Sequence, residues 1–442
     1  TAQTGTVTGI DDSIIDGTQT ATITVSINDG SSDDDFDSLA DQTITTSNVD
    51  DDVAGFTIAQ TDGSTAVAES GSTDTFTVVL NAQPTSDVVL SITSNDTGES
   101  SIPSAITFTS ANWDTAQTVT VTGADDDIID GTITSTITVS VNDGSSDNNF
   151  DPVSNQVVSV TTTDNDTAGF TVIESGGSTN IGEDGSTDTF TVVLNSEPIS
   201  NVVISITSSD TGESTVSPGS LTFTSGNWDT PQTVTVTGAN DDFVDASQTS
   251  TLTVAVVDAS SDNSFDPLAD QTVSVTTADN DVAGFTVAQS GGSTSVSESG
   301  TTDTFTVVLN AQPDSGTSVV LSVTSSDTGE ATVNSPLTFT SANWNTPQTV
   351  TVTGADDNLL DGTQTSTFTI SVVDGSSVDQ FDSVADQTVS GTTVDNDSAG
   401  FTVAEISGTS VSESGTTDTF TVVLGAQPPN NVVIAITSSD TA

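Results

Sequence analysis

Hydrophobic and polar residues alternate with a period of two along most of the chain. Residues 75–80 read Thr-Phe-Thr-Val-Val-Leu, residues 117–122 read Gln-Thr-Val-Thr-Val-Thr, and residues 136–141 read Thr-Ile-Thr-Val-Ser-Val. This alternation predicts half-buried β-strands, because successive side chains of a strand point to opposite faces. No segment keeps a helical period over ten residues, so the pattern predicts an all-β protein.

The same pattern recurs at intervals of 114 to 116 residues. The tripeptide Ala-Gly-Phe occurs four times, at 54–56, 168–170, 283–285 and 399–401. A tryptophan recurs at the same spacing, as Trp113, Trp228 and Trp344. A unit of about 115 residues is too long for a solenoid turn and has the size of one immunoglobulin-like sandwich. We therefore expect tandem Ig-like Greek-key β-sandwich domains, arranged end to end as a rod.

Each unit is predicted to contain about seven strands. Besides the three long stretches, shorter strands are predicted in the first complete unit at 55–58, 88–93, 105–109 and 157–162. Clusters of Gly, Asp, Asn, Ser and Pro separate them at the 8–12-residue spacing of a sandwich. Threonine is abundant because its β-branch favours strands while its hydroxyl tolerates solvent.

The repeat register predicts three full repeats, at 53–166, 167–281 and 282–397. Residues 1–52 match the C-terminal half of a repeat, and residues 398–442 match the N-terminal half. We expect the chain to be a window of a longer protein. In the alternative, the first half of one molecule completes the last half of the next, which gives a head-to-tail polymer by strand complementation.

The composition excludes several classes of function. The chain has 63 Asp and Glu residues but no Lys, Arg, His or Cys, and its formal net charge is −63. Without imidazole or thiol there is no Ser-His-Asp or Cys-His nucleophile, no disulfide and no zinc–thiolate site. Nucleic acids and anionic membranes are bound through Lys and Arg, so we expect neither as a partner. No apolar run approaches 18 residues, so we expect no membrane insertion in this segment. No repeat is distinguished by a cleft-forming insertion, so we do not expect an enzyme.

The acids recur in loops at equivalent positions of each unit. One cluster follows the strand that ends Val-Thr-Gly, a second cluster ends the unit, a Glu precedes the Thr-Asp-Thr-Phe strand, and an Asp opens the sequence Asp-Thr-Gly-Glu. Consecutive carboxylates repel one another, and no Lys or Arg compensates them. The loops are therefore either solvated acidic surface or cation sites. Oxygen ligands without nitrogen or sulfur suit Ca²⁺ or Mg²⁺, and flexible oxygen-rich loops suit Ca²⁺.

The candidate metal ligands fall into those four groups. The first cluster contains Asp11, Asp12, Asp16, Asp125, Asp126, Asp127, Asp130, Asp241, Asp242, Asp245, Asp356, Asp357 and Asp361. The second contains Asp50, Asp51, Asp52, Asp164, Asp166, Asp279, Asp281, Asp395 and Asp397. The single acids are Glu69, Glu183, Glu298, Glu413, Asp96, Asp210, Asp327 and Asp440.

The sequence also resembles a known family. Three segments carry the resemblance: residues 221–238 with their Asn-Trp-Asp-Thr-Pro-Gln, the Ala-Asn-Asp-Asp that follows them, and the closing Asp-Asn-Asp at 279–281. They resemble Calx-beta domains and the Ca²⁺-dependent sandwich repeats of giant bacterial surface adhesins and extracellular fibres. The resemblance covers every copy and implies a Calx-beta-like sandwich. It also implies Ca²⁺ at one end of the sandwich. In the repeat 167–281 the implied ligands are Glu183, Asp210, Asp241, Asp242, Asp245, Asp279 and Asp281.

Only two residues, such as Thr167 and Ala168, separate a closing acidic triplet from the glycine of the next Ala-Gly-Phe motif. A bound ion would therefore lie near the domain junction and stiffen it. The sequence thus predicts a structural segment of a long extracellular filament or cell-surface adhesin stalk. Its partners would be neighbouring repeats of the same chain or identical subunits. The competing hypothesis is an array of modules that bind a glycan or a surface. Because the repeats are nearly uniform, we expect any such target to be bound outside this segment.

Overall fold

The computed structural model describes residues 1–440 and shows a chain of β-sandwiches, which confirms the predicted fold class. Each complete sandwich consists of one five-stranded and one four-stranded sheet. Three complete sandwiches follow one another, and we call them sandwiches 1, 2 and 3. A two-stranded sheet precedes them and another follows them.

The strands occur in the same order in each sandwich. The N-terminal half-unit has β1 (Gln19–Val25) and β2 (Gln42–Asn48). Sandwich 1 contains β3 (Phe56–Gln60), β4 (Thr65–Ala68), β5 (Thr73–Leu80), β6 (Val88–Ser94), β7 (Ser100–Ser101), β8 (Ala105–Phe108), β9 (Gln117–Gly123), β10 (Ile133–Val141) and β11 (Gln156–Thr163).

Sandwich 2 contains β12 (Phe170–Glu174), β13 (Thr179–Gly182), β14 (Thr187–Leu194), β15 (Val202–Ser208), β16 (Ser214–Ser217), β17 (Ser220–Phe223), β18 (Gln232–Gly238), β19 (Gln248–Val256) and β20 (Gln271–Ala278). Sandwich 3 contains β21 (Phe285–Gln289), β22 (Thr294–Ser297), β23 (Thr302–Leu309), β24 (Ser318–Ser325), β25 (Ala331–Val333), β26 (Leu337–Thr340), β27 (Gln348–Gly354), β28 (Gln364–Val372) and β29 (Gln387–Val394). The C-terminal half-unit has β30 (Phe401–Glu405) and β31 (Phe420–Leu424).

Short 3-10 turns connect some of these strands. They lie at Asp29–Ser31, Asp34–Phe36, Thr61–Gly63, Asp143–Ser145, Asn148–Phe150, Ser175–Gly177, Asp258–Ser260, Ser290–Gly292, Asp374–Ser376 and Asp379–Phe381. Across residues 1–440, none of the helical segments approaches the length and apolar character that a membrane crossing requires.

In sandwich 1 the five-stranded sheet has the order β4-β11-β10-β6-β8, and the four-stranded sheet has the order β3-β5-β9-β7. Every pairing is antiparallel except that of β4 with β11, which is parallel and joins Thr65 to Val160 and Ala68 to Thr163. The inward side chains of both sheets form the core, in which Phe76, Phe108 and Phe150 are fully buried. Trp113 packs at the border of this core and is partly buried.

The structure has nine strands in each complete sandwich, whereas the sequence predicted about seven. The two additional strands in sandwich 1 are β4 and β7, which have four and two residues. Such short segments show too few alternating positions to be recognised from the sequence. Strand β4 is nevertheless important. The chain leaves the four-stranded sheet after β3 at a turn with Asp62 at φ 53°, and β4 then joins the five-stranded sheet.

Candidate metal centre

Four chain segments bring acidic side chains to one end of sandwich 1. Glu69 directly follows β4, and Asp164 directly follows β11. Because β4 and β11 are parallel neighbours, their C-terminal ends meet at the same edge of the sheet. Glu99 directly precedes β7, and Asp126 and Asp130 lie in the loop between β9 and β10.

The carboxylates form two groups that share Glu69. In one group, single oxygens of Glu69, Glu99 and Asp126 all lie within 4.8 Å of one another. In the other group, the same is true of Glu69, Asp164 and Asp166. Three carboxylate oxygens at this separation could coordinate one cation from different sides.

The grouping recurs in the following sandwiches. Sandwich 2 has the groups Glu183–Glu213–Asp241 and Glu183–Asp279–Asp281, and sandwich 3 has Glu298–Glu330–Asp361. The structure therefore brings together acids from three of the predicted groups. These are the loop after β9 and its equivalents, the closing triplet and the Glu that follows β4.

Several of these carboxylate oxygens are buried without any hydrogen-bond donor. Glu69 and Glu99 are only 1% and 5% exposed. In sandwich 1 the unpartnered atoms are Glu69 Oε1, Glu99 Oε2, Asp130 Oδ1 and Asp166 Oδ2. In sandwich 2 they are the equivalent atoms Glu183 Oε1, Glu213 Oε2, Asp245 Oδ1 and Asp281 Oδ2. A buried charge without a partner is costly, and this chain has no Lys, Arg or His to neutralise it, so the oxygens fit a cation.

The remaining oxygens hold the loops in shape. Asp126 Oδ1 accepts the Ile128 N–H at 2.8 Å. Asp164 accepts the Gly131 N–H at 2.8 Å with Oδ2 and the Asp166 N–H at 2.6 Å with Oδ1. The Glu69 Oε2 atom accepts the Asn165 N–H at 3.2 Å. Each loop is thus fixed by backbone donors, while other carboxylate oxygens stay directed at one another.

Burial and the repulsion between neighbouring carboxylates raise the pKa values of the buried glutamates. Burial, followed by the charges of Asp130 and Glu69, raises the pKa of Glu99 to about 7. The pKa values of Glu213 and Glu330 are raised to about 7 for the same reasons. Burial also raises the pKa of Glu69, although the Asn165 N–H opposes the shift. A divalent cation would remove both causes by supplying positive charge.

Glu99 and its equivalents Glu213 and Glu330 were not among the ligands predicted from the sequence. The predicted ligand was the first acid of Asp-Thr-Gly-Glu, Asp96, whose Oδ1 accepts the Gly98 N–H at 3.1 Å within its own turn. Asp210 and Asp327 make the same contact with Gly212 and Gly329. The available signal was the Glu itself, which recurs directly before a short strand and so enters the interior.

The acids of the half-units are placed differently. Asp11, Asp12, Asp16, Asp50, Asp51 and Asp52 line one cleft of about 240 Å³ in the N-terminal half-unit. Glu413 is exposed in the C-terminal half-unit, and Asp440 is the last described residue. Within residues 1–440, neither half-unit combines all four segments that form the centre in sandwich 1.

The loop between β9 and β10 also forms the junction to sandwich 2. Ile128 forms an isolated parallel β-bridge with Glu197. The Ile129 N–H donates to Glu197 O at 3.1 Å, and the Glu197 N–H donates to Asp127 O at 2.7 Å. Equivalent bridges join Ile14 to Gln83, Phe243 to Gln312 and Leu359 to Gln427. The acidic loop of each unit is therefore bonded to the unit that follows.

Comparison with known proteins gives structural neighbours only. No protein-family model matches the sequence, and no curated protein matches it. Crystal structures that are similar include CBD12 from CALX1.2, with 12% identity, a TM-score of 0.21 and coverage of 50% of this chain and 99% of that one. The titin I-band fragment I67–I69 has 9% identity, a TM-score of 0.23 and coverage of 78% and 96%. Domains 4–9 of the surface layer protein SbsC have 16% identity, a TM-score of 0.22 and coverage of 84% and 55%.

Proposed function

We propose that the chain is a structural segment of a long extracellular filament or adhesin stalk. Its repeats, 53–166, 167–281 and 282–397, are joined end to end, and Ca²⁺ bound in the acidic loops stiffens their junctions. The partners are neighbouring repeats of the same chain or identical subunits. The Calx-beta-like motifs of the sequence agree with this assignment.

One observation carries the proposal. In sandwiches 1 and 2, the same four carboxylate oxygens are buried at one end without any donor. Their loops include Asp127 and Asp242, whose carbonyls accept hydrogen bonds from the next unit. An ion that satisfies these oxygens would fix the loop that forms the junction.

The donor set favours Ca²⁺ over Mg²⁺. Ca²⁺ accepts six to eight oxygens in variable geometry, whereas Mg²⁺ demands a near-ideal octahedron and keeps several waters. Several carboxylates converge here from separate loops, two of them nearly fully buried. Extracellular Ca²⁺ modules work at dissociation constants of roughly 10⁻⁴ to 10⁻³ M, and we expect an affinity in that range here.

Unfolding of the full chain tests the proposal. Thermal midpoints and small-angle scattering are measured with a chelator, with Mg²⁺ and with Ca²⁺, at constant ionic strength set by NaCl. Ligand linkage predicts a gain of about 2.7 kcal/mol per site when free Ca²⁺ is a hundredfold above its dissociation constant. We expect a higher midpoint and a longer, stiffer particle in Ca²⁺, with a smaller effect of Mg²⁺.

The matched control is Asp114→Asn, which removes an exposed acid outside the centre. This variant keeps the full response to Ca²⁺ if the response belongs to the buried sites. Equal midpoints in the chelator, in Mg²⁺ and in Ca²⁺ at this constant ionic strength would show that the acids form only a screened surface, and the proposal would then be abandoned.

A further inference from the structure

The loop between β9 and β10 contains a pair of apolar residues flanked by acids. Asp126 and Asp130 contribute to the metal centre, whereas Ile128 and Ile129 between them are partly buried and apolar. The same arrangement occurs as Asp12-Ser-Ile-Ile-Asp16, Asp241-Asp-Phe-Val-Asp245 and Asp357-Asn-Leu-Leu-Asp361. An apolar pair inside an acidic loop has no use in the centre itself.

The second apolar residue of the pair packs into the following sandwich. Ile15 is 9% exposed and belongs to the core cluster of sandwich 1, together with Phe56 and Ala82. Ile129 packs against the core of sandwich 2, and Val244 packs against the core of sandwich 3. We call these residues the junction plugs.

The junction is further held by the backbone of the plug. The Ile15 N–H donates to Gln83 O at 3.1 Å, and Ile15 O accepts the Asn149 side-chain N–H at 3.0 Å. Two loops of sandwich 1 therefore bind a residue of the preceding unit. Each sandwich completes its core with a side chain from its N-terminal neighbour.

The metal centre and the plug depend on the same backbone. Asp126 Oδ1 accepts the Ile128 N–H, and the Asp130 N–H donates to Ile128 O at 3.0 Å. When no cation is bound, the repelling carboxylates favour opening of this loop. Opening would withdraw Ile129 from sandwich 2 and break the bridge to Glu197.

We propose that the cation site of each unit controls the stability of the unit that follows it in the chain. This inference rests on the proposed Ca²⁺ binding and adds a direction to it. The site of sandwich 1 couples to sandwich 2 through Ile129, not to the half-unit before it. Linkage is reciprocal, so a folded sandwich 2 raises the cation affinity of sandwich 1. Stability thus passes along the chain from nearest neighbour to nearest neighbour.

The chain supplies its own reporters, because each complete sandwich contains one tryptophan, Trp113, Trp228 or Trp344. Replacing two of the three with Phe in the full chain leaves a fluorescence signal for a single sandwich. Denaturant unfolding is then followed in three such parents, each with Ca²⁺ and with a chelator. Every variant is compared with the parent that carries the same reporter.

The first variant is Ile129→Ala, which removes a plug without changing any acid. We expect the folded-to-unfolded ratio reported by Trp228 to fall on the order of tenfold. Because the coupling is reciprocal, Trp113 should report a smaller fall in Ca²⁺, and Trp344 should report no change. The matched control is Ile199→Ala in sandwich 2, since Ile199 is 66% exposed and should leave Trp228 unchanged. If Ile129→Ala does not shift the unfolding transition that Trp228 reports, Ile129 does not stabilise sandwich 2 and the proposal is wrong.

The second variant is Glu99→Gln, which removes a ligand buried inside sandwich 1. In Ca²⁺ we expect lower midpoints at both Trp113 and Trp228, and no change at Trp344. The companion variant Glu330→Gln should lower the unfolding midpoint that Trp344 reports and leave the midpoint that Trp228 reports at the value of its parent. If Ca²⁺ raises the Trp228 midpoint equally with and without Glu99→Gln, the units bind independently and the coupling is wrong while the proposed function stands. If Ca²⁺ shifts no reporter, the proposed function itself fails, and the cation control of the next unit fails with it.

Discussion

The Asn165 N–H donates to Glu69 Oε2 at 3.2 Å, although the two residues are 96 positions apart in the sequence. The same bond joins Asn280 to Glu183 and Asn396 to Glu298, each at 3.2 Å. It closes the end of a repeat onto its beginning. The acidic triplet therefore lies at the centre only in the folded sandwich, so cation binding there is coupled to folding.

Replacement of the buried glutamate should have opposite effects with and without the ion. In a chelator, Glu99→Gln removes an unpaired buried charge, and we expect sandwich 1 to gain about 1 kcal/mol or more. In Ca²⁺ the same change removes an anionic ligand, and the cation affinity should fall at least about tenfold. Isothermal titration calorimetry and denaturant unfolding measure the two effects. A loss of stability in both conditions would contradict the assignment of Glu99 as a ligand.

The dependence of stability on pH should also reverse with Ca²⁺. The pKa values of Glu99, Glu213 and Glu330 are about 7 in the folded chain, against an ordinary value of 4.5. Between these values the folded chain binds more protons than the unfolded chain, so in a chelator its stability falls as pH rises from about 5 to about 7. Ca²⁺ competes with those protons, so the stabilisation that it provides should grow over the same range.

Thermal midpoints at several pH values between 5 and 8, in Ca²⁺-depleted and Ca²⁺-containing buffer, measure both slopes. Acids whose pKa is lowered by folding affect stability only at pH values below this range. Burial would raise the pKa of Asp147, but hydrogen bonds from Thr85, Asn149 and Ser86 outweigh it and hold the pKa below its usual value. Its contribution is lost only as pH falls through that lowered pKa. Stability that rises with pH in the chelator would argue against the buried glutamates as the dominant groups.

A glycine beside the centre should not tolerate any side chain. A Cβ at Gly123 would lie 2.0 Å from Ala68 O, directly before Glu69, and Gly238 and Gly354 are equally close to Gly182 O and Ser297 O. Because the obstacle is backbone, Gly123→Ala must displace the segment that carries Glu69. We expect a loss of about 1–3 kcal/mol in sandwich 1 and weaker Ca²⁺ binding there.

Denaturant unfolding with Trp113 as the sole tryptophan measures this loss. The matched control is Gly144→Ala, because the nearest atom to a Cβ at Gly144 is Asn142 Oδ1 at 3.9 Å. Equal behaviour of the two variants would show that β9 can move away from the centre without cost.

The sequence was sufficient to predict the strands that are long enough to alternate. Strand β5 was predicted from 75 to 80 and spans Thr73–Leu80, because its inward positions, such as Phe76 and Val78, are all apolar. Strand β4 was missed, because four residues carry little periodic signal and its sheet is decided by the turn at Asp62. That one strand is what places Glu69 beside β11.

The sequence by itself determined the repeat, the β-sandwich class and the loops in which the acids lie, since each of these depends on local pattern and composition. Only the tertiary structure decided which acids meet. It placed Glu99 in the interior, whereas Asp96, three positions earlier, accepts a hydrogen bond within its own turn. It also decided that Ile129 packs against the core of sandwich 2, because an apolar residue in an acidic loop is removed from water only when the next unit covers it.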